Sequence, residues 1–276
     1  TGIQNLAADL QSLQIQYGFF YVTYLKENGE FNSTYDHAET FLHSIKTAAP
    51  DLQILAWIGI PLLHTDLSDS DVRRQITSLC HELIEMGFDG IHLNAEPIHN
   101  NNADLLKLLE EIRQTTGEDV ILSLAAHRIF PILPQILGAP SSAFLEDVPV
   151  WNIEYYQSIG QRVDQIAVMI YDSAMPTSLL FRHWSRFQTI YLSQVLQHSE
   201  TQLLLGVPAS EKHTPTHNPD AENMENGLRG IITGLNDHAT EREVITGVAI
   251  YPYWETSDEE WKIYRELWLG EKESVN

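Results

Sequence analysis

Cysteine is nearly missing. Cys80 is the single one, so no disulfide can form within the chain and no cysteine-based metal site is available. Basic residues are scarce too: 16 Lys and Arg stand against 38 Asp and Glu, a formal net charge of −22. That balance argues against nucleic acid and anionic membrane surfaces, both of which are bound through an excess of Lys and Arg. A neutral ligand such as a glycan fits it, and so would a cationic one. No run of about eighteen apolar residues occurs, so no membrane insertion by this segment is expected. Thr1-Gly2-Ile3 opens without a basic stretch followed by an apolar one, so no signal peptide is expected here. No Gly-rich phosphate loop follows the first strand-like segment, which counts against an open dinucleotide-binding sheet. There are 12 histidines, but the spacing of His92, His99 and His127 matches no established ligand pattern. Neither a metal nor a cofactor is expected.

Hydrophobic residues make up 43% of the 276 and aromatics 9%, enough for one large α/β core and for aromatic lining of a sugar cleft. The spacing of apolar residues predicts helices over 3–15, 37–48, 71–86, 103–115, 152–159, 177–196, 222–235 and 257–269. Ser68 or Ser70 is the expected cap of the third. Strands are expected over 17–25, 52–60, 88–96, 120–126, 163–171, 202–207 and 245–251. An irregular, Pro-rich stretch begins at 127, and a polar loop spans 210–220. Strand and helix alternate without repeat or linker. This implies a parallel sheet and, with so many units in a single domain spanning 1–276, a (β/α)8 TIM barrel. The count gives seven strands, so the first is either upstream of residue 1 or unrecognised.

The stretch Phe88-Asp89-Gly90-Ile91-His92-Leu93-Asn94-Ala95-Glu96-Pro97 is the unusual one. Alternate strand residues share a face, so His92, Asn94 and Glu96 point one way and Ile91, Leu93 and Ala95 the other. Strands of a helix-covered parallel sheet are normally apolar on both faces, and a buried carboxyl is costly unless paired. The stretch is therefore either a satisfied polar network or a catalytic carboxyl at a strand's C-terminal end, with Asn94 beside it. The second is the expectation.

These residues resemble the Asp-Gly-x-Asp-x-Asp-x-Glu strand of glycoside hydrolase family 18, the chitinase-like barrels. Met169-Ile170-Tyr171-Asp172 is similar to that family's sixth-strand ending, Gly206-Val207-Pro208 to its seventh, and Gly247-Val248-Ala249-Ile250-Tyr251 to its eighth. His92 and Asn94 stand where the family has two aspartates, and Tyr251 stands where it has a tryptophan. Ser210 and Glu211 replace its Tyr-Gly. The Asn-x-Glu pair is similar instead to family 85 endo-β-N-acetylglucosaminidases.

Both resemblances imply a glycan substrate containing N-acetylglucosamine, whose own acetamide oxygen is the nucleophile. They imply Glu96 as general acid, Asn94 as the group orienting the acetamide, and Tyr171 as a hydrogen-bond partner of its oxygen. Asp172 supports the site or caps the following helix. His92 either aligns its neighbours or is a satisfied interior residue. Tyr251, Trp57 and Trp254 are the aromatics expected at the sugar, the last two near C-terminal strand ends; Trp151, Tyr155, Tyr156 and Trp184 read more simply as core. The resemblance also implies a secreted or cell-surface protein. The competing implication is a catalytically inert chitinase-like barrel that binds carbohydrate, because two aspartates have been replaced.

Overall fold

The computed structural model describes residues 2–33, 37–129 and 151–271. Most of the Pro-rich part of the irregular stretch, residues 130–150, lies outside them. The chain divides into two compact units: Thr1–Ala125 with Arg162–Gln165, and Ala126–Gln161 with Ile166–Asn276.

The first unit alternates helix and strand: α1 (Gly2–Ser12), β1 (Tyr17–Tyr24), α2 (Ala38–Ala48), β2 (Gln53–Pro61), α3 (Ser70–Met86), β3 (Gly90–Glu96), α4 (Ala103–Thr116) and the start of β4 (Ile121–His127). Neighbouring strands pair in parallel, with Trp57 opposite His92, Gly59 opposite Asn94 and Pro61 opposite Glu96. Each helix forms because its apolar residues fall on one stripe. In α3, Ile76, Leu79, Cys80 and Leu83 recur at helical spacing and are all buried. Its cap is neither of the expected serines: the Asp69 carboxylate accepts from Asp71 N at 2.8 Å. Asp competes as well as Ser for that position, and here it is the residue whose extended backbone aims the side chain back at the helix.

Two aspartates fasten strand to strand. Asp89, just before β3, accepts from Ile54 N of β2 at 2.8 Å and from Lys46 Nζ of α2 at 2.6 Å. Asp164 repeats the device, accepting from Leu122 N of β4 at 2.7 Å and from Arg113 of α4. Gly90 follows from the same close approach: a Cβ there would lie 2.3 Å from Ile121 O.

The second unit continues with α5 (Ile153–Gly160), β5 (Gln165–Met169), α6 (Ser178–Leu196), β6 (Gln202–Pro208), α7 (Met224–Leu235), β7 (Ile245–Tyr251) and α8 (Asp258–Leu267). β6 and β7 pair in parallel, with Pro208 opposite Tyr251. Side-chain caps start the helices: Asn152 on α5, Thr177 on α6, Asn223 on α7, and a Ser257–Glu260 capping box on α8. Strand order follows chain order through all seven described strands. Consecutive parallel strands joined by helices are the TIM-barrel pattern, as expected.

Candidate active site

In the first unit, β3 sorts its side chains as the alternation requires. Ile91, Leu93 and Ala95 are fully buried, whereas Asn94 and Glu96 are half-buried at the C-terminal end. Gly59, opposite Asn94, contributes no side chain beside it.

His92 lies deeper, and its ring is fixed on two sides. It stacks on Phe19 with centroids 4.0 Å apart and planes within 5°. Its Nδ1 is 2.8 Å from Ser123 Oγ, and that hydroxyl donates to Gln165 Oε1 at 3.0 Å. A hydroxyl that spends its proton on a carbonyl accepts from the ring, so Nδ1 carries the hydrogen and Nε2 keeps its lone pair. Burial pushes the His92 pKa down to about 3, so the imidazole is neutral. Trp57 meets the ring edge-on at 6.5 Å, and Tyr21 meets Trp57 edge-on at 5.4 Å. Trp57 lies mid-strand in β2, not near its end as expected. Tyr21, 47% exposed, belongs to this aromatic group and was not singled out by the sequence. Period-2 spacing from Phe19 was the signal that could have found it.

Asn94 carries the unusual atom. Its Oδ1 is buried and has no hydrogen-bond partner among the described residues. A buried amide oxygen left in that condition costs about 1–3 kcal/mol, a cost that a donor from a ligand would remove.

In the second unit, Tyr171 follows β5 and stacks on Tyr251 at the end of β7, with centroids 5.9 Å apart and planes within 9°. Gly206 of β6 lets Tyr171 approach, since a Cβ there would lie 2.9 Å from its ring. Trp254, 65% exposed, meets Tyr251 edge-on at 5.9 Å. Tyr171, Tyr251 and Trp254 thus form one aromatic group. Asp172 does not cap the following helix; Thr177 does. Instead Asp172 faces His217, which sequence reasoning passed over. Ser210 Oγ donates to Glu255 at 2.7 Å. Trp151, Tyr155, Tyr156 and Trp184 are core residues, and Trp184 Nε1 donates to Ile170 O at 2.8 Å.

Solved structures resemble this fold along nearly the whole chain. A class V chitinase from Pseudomonas fluorescens shares 13% identity with a TM-score of 0.62, the match covering 95% of each chain. A chitinase from Chromobacterium violaceum shares 10% at the same TM-score, covering 97% of this chain and 96% of its own. The fold is that of the chitinase barrels. A tamarind chitinase-like lectin shares it as well, at 13% identity and TM-score 0.58, covering 96% of this chain and 92% of the lectin. No model of a known protein family matches the sequence, and no curated protein matches it either. Glu96 and Tyr251 each lie at the C-terminal end of a strand.

Proposed function

We propose that the protein is a glycoside hydrolase acting on glycans that contain N-acetylglucosamine, by retaining, substrate-assisted catalysis. Glu96 protonates the leaving oxygen. Asn94 Oδ1 accepts from the acetamide N–H and turns the acetamide oxygen toward the anomeric carbon, where it attacks as the internal nucleophile. The observation that carries this reading is the buried Oδ1 of Asn94, without a partner among the described residues, two residues before Glu96 on the same face of β3. An aspartate would add negative charge against the cation that develops on the acetamide; Asn94 supplies orientation alone, so positioning carries more of the rate here. Neutral His92 buttresses the strand beneath the pair. As part of this proposal, Tyr171 and Asp172 remain acetamide and sugar partners, with Trp57, Tyr251 and Trp254 as sugar-stacking surfaces.

The test is release of reducing ends from chitooligosaccharides and from an N-glycan by the native protein and by Glu96→Gln. Turnover by the native protein that vanishes in the variant supports the proposal. Calorimetric binding of N-acetylated oligosaccharides without turnover would replace it with the second reading, an inert carbohydrate-binding barrel. The replacement of two family aspartates by His92 and Asn94 is what favours that alternative.

A further inference from the structure

The second unit holds a cluster, buried at two of its three members, of which the hydrolase reading uses Asp172 alone. Three distant parts of the chain build it: Asp172 after β5, His217 in the loop after β6, and Glu222 before α7. His217 Nδ1 lies 3.3 Å from Asp172 Oδ1 and 3.5 Å from Glu222 Oε2, and one ligand atom from each residue lies within 4.8 Å of the others. His217 and Glu222 are 4% and 0% exposed at their side chains, Asp172 51%. Solvent reaches the group through Asp172.

The other ring nitrogen settles the tautomer. His217 Nε2 is 3.0 Å from Ser210 O, and a carbonyl oxygen only accepts, so Nε2 carries the hydrogen. In the neutral ring Nδ1 then turns a lone pair toward two carboxylates, and among the described residues it has no hydrogen-bond partner. With the ring neutral, three acceptors converge, two of them on buried residues, and repel one another. A positive charge among them reverses the sign of every one of these contacts. Histidines that bind metals commonly donate their second ring N–H to a backbone carbonyl, which fixes the ring for coordination; His217 does so.

The scaffold anchors His217 and Glu222 and ties their loops together independently of any cation. Glu222 Oε1 accepts from Ser173 N at 3.1 Å, Ser173 Oγ at 2.8 Å and Met175 N at 3.0 Å, and Oε2 accepts from Ser173 N at 3.2 Å, which anchors the carboxylate with Oε2 3.5 Å from His217 Nδ1. Ala174 N donates to Thr216 O at 2.8 Å, joining the turn that carries Asp172 to the loop that carries His217.

We infer that Asp172, His217 and Glu222 form a site for a divalent transition-metal cation of the Zn²⁺ class, bound through one nitrogen and two carboxylate oxygens, with a further position open to water. The inference is independent of the reaction at Glu96.

Calorimetric titration of the chelator-treated full chain with ZnCl₂ at pH 7 tests it. The native protein and Glu96→Gln should each take up Zn²⁺ at one saturable site. Asp172→Asn, a half-exposed change that the fold tolerates, should weaken that site at least about tenfold, and His217→Gln should abolish it. Zn²⁺ should raise the melting temperature of the native protein more than that of Asp172→Asn. No saturable uptake would overturn the inference. So would equal uptake by native protein and Asp172→Asn, which would put the ion on other histidines. An NMR titration showing His217 doubly protonated at pH 7, with no Zn²⁺ uptake, would make the proton the cation and overturn it as well.

Discussion

Asn94 and His92 are neighbours on one strand face, and each makes a separate prediction. Asn94 keeps a buried acceptor with no partner among the described residues, a condition that lowers stability in the free protein and, on the proposed mechanism, is useful when substrate arrives. Asn94→Ala should therefore cut kcat/KM by about 10²-fold or more, while the melting temperature stays level or rises. A parallel loss of stability and activity would show that Asn94 is a structural residue. His92 carries a pH prediction. Its pKa in the fold is about 3, and that of His127 is about 4, lowered first by burial and then by the adjacent Arg128 charge; an unfolded histidine titrates near about 6.5. The unfolded chain binds these protons first, so the stability contributed by the neutral rings is complete above about 6.5 and declines as pH falls toward 4 and then 3. Urea unfolding at a series of pH values should show the decline, and His92→Gln should flatten it between about 6.5 and 3. An unchanged slope in the variant would contradict the assignment. At this scale the sequence was informative wherever a residue's meaning is local. Period-2 alternation alone put Asn94 and Glu96 on one face. His217 and Glu222 escaped because their partner Asp172 is brought to them by loops that no spacing rule describes.

Elements were legible for a different reason. Strand and helix periods, with Gly and Pro as punctuation, place all seven described strands within a few residues of where they lie. Errors gather at boundaries. Asp69 displaced the serines beside it because Ser, Asp and Asn have similar capping strengths, and local backbone direction decides between them. Trp57 falls mid-strand, since β2 runs from Gln53 to Pro61. The Asp-Gly of the β3 motif, read as a family signature, turns out to have structural work: Asp89 ties β3 to β2 and α2, and Gly90 permits the approach to β4. Gly90→Ala should cost about 1–3 kcal/mol, because the new methyl meets the Ile121 backbone oxygen, which cannot swing away as a side chain would. Chemical denaturation measures this directly. A cost near zero would mean that the strands separate more easily than their register implies.

Across the whole molecule, fold and identity part company. Identities of 10–13% accompany TM-scores of about 0.6 over nearly the full chain, because a barrel depends on alternation, strand twist and helix stripes, which many sequences satisfy. The same tolerance is why fold cannot stand in for activity, and why the lectin and the chitinases share one architecture. The net charge of −22 belongs to this scale as well; the chain should pass unretained through a heparin column even at low salt, and retention would reveal a basic patch that the total conceals. The central claim is that the substrate's own acetamide attacks while Glu96 supplies the proton. Its most direct test compares hydrolysis of an N-acetylated chitooligosaccharide with that of its fully de-N-acetylated counterpart, using native protein and Glu96→Gln. Cleavage confined to the acetylated chain, and lost in the variant, is the predicted result. Equal cleavage of both chains, or cleavage that survives Glu96→Gln, would contradict it.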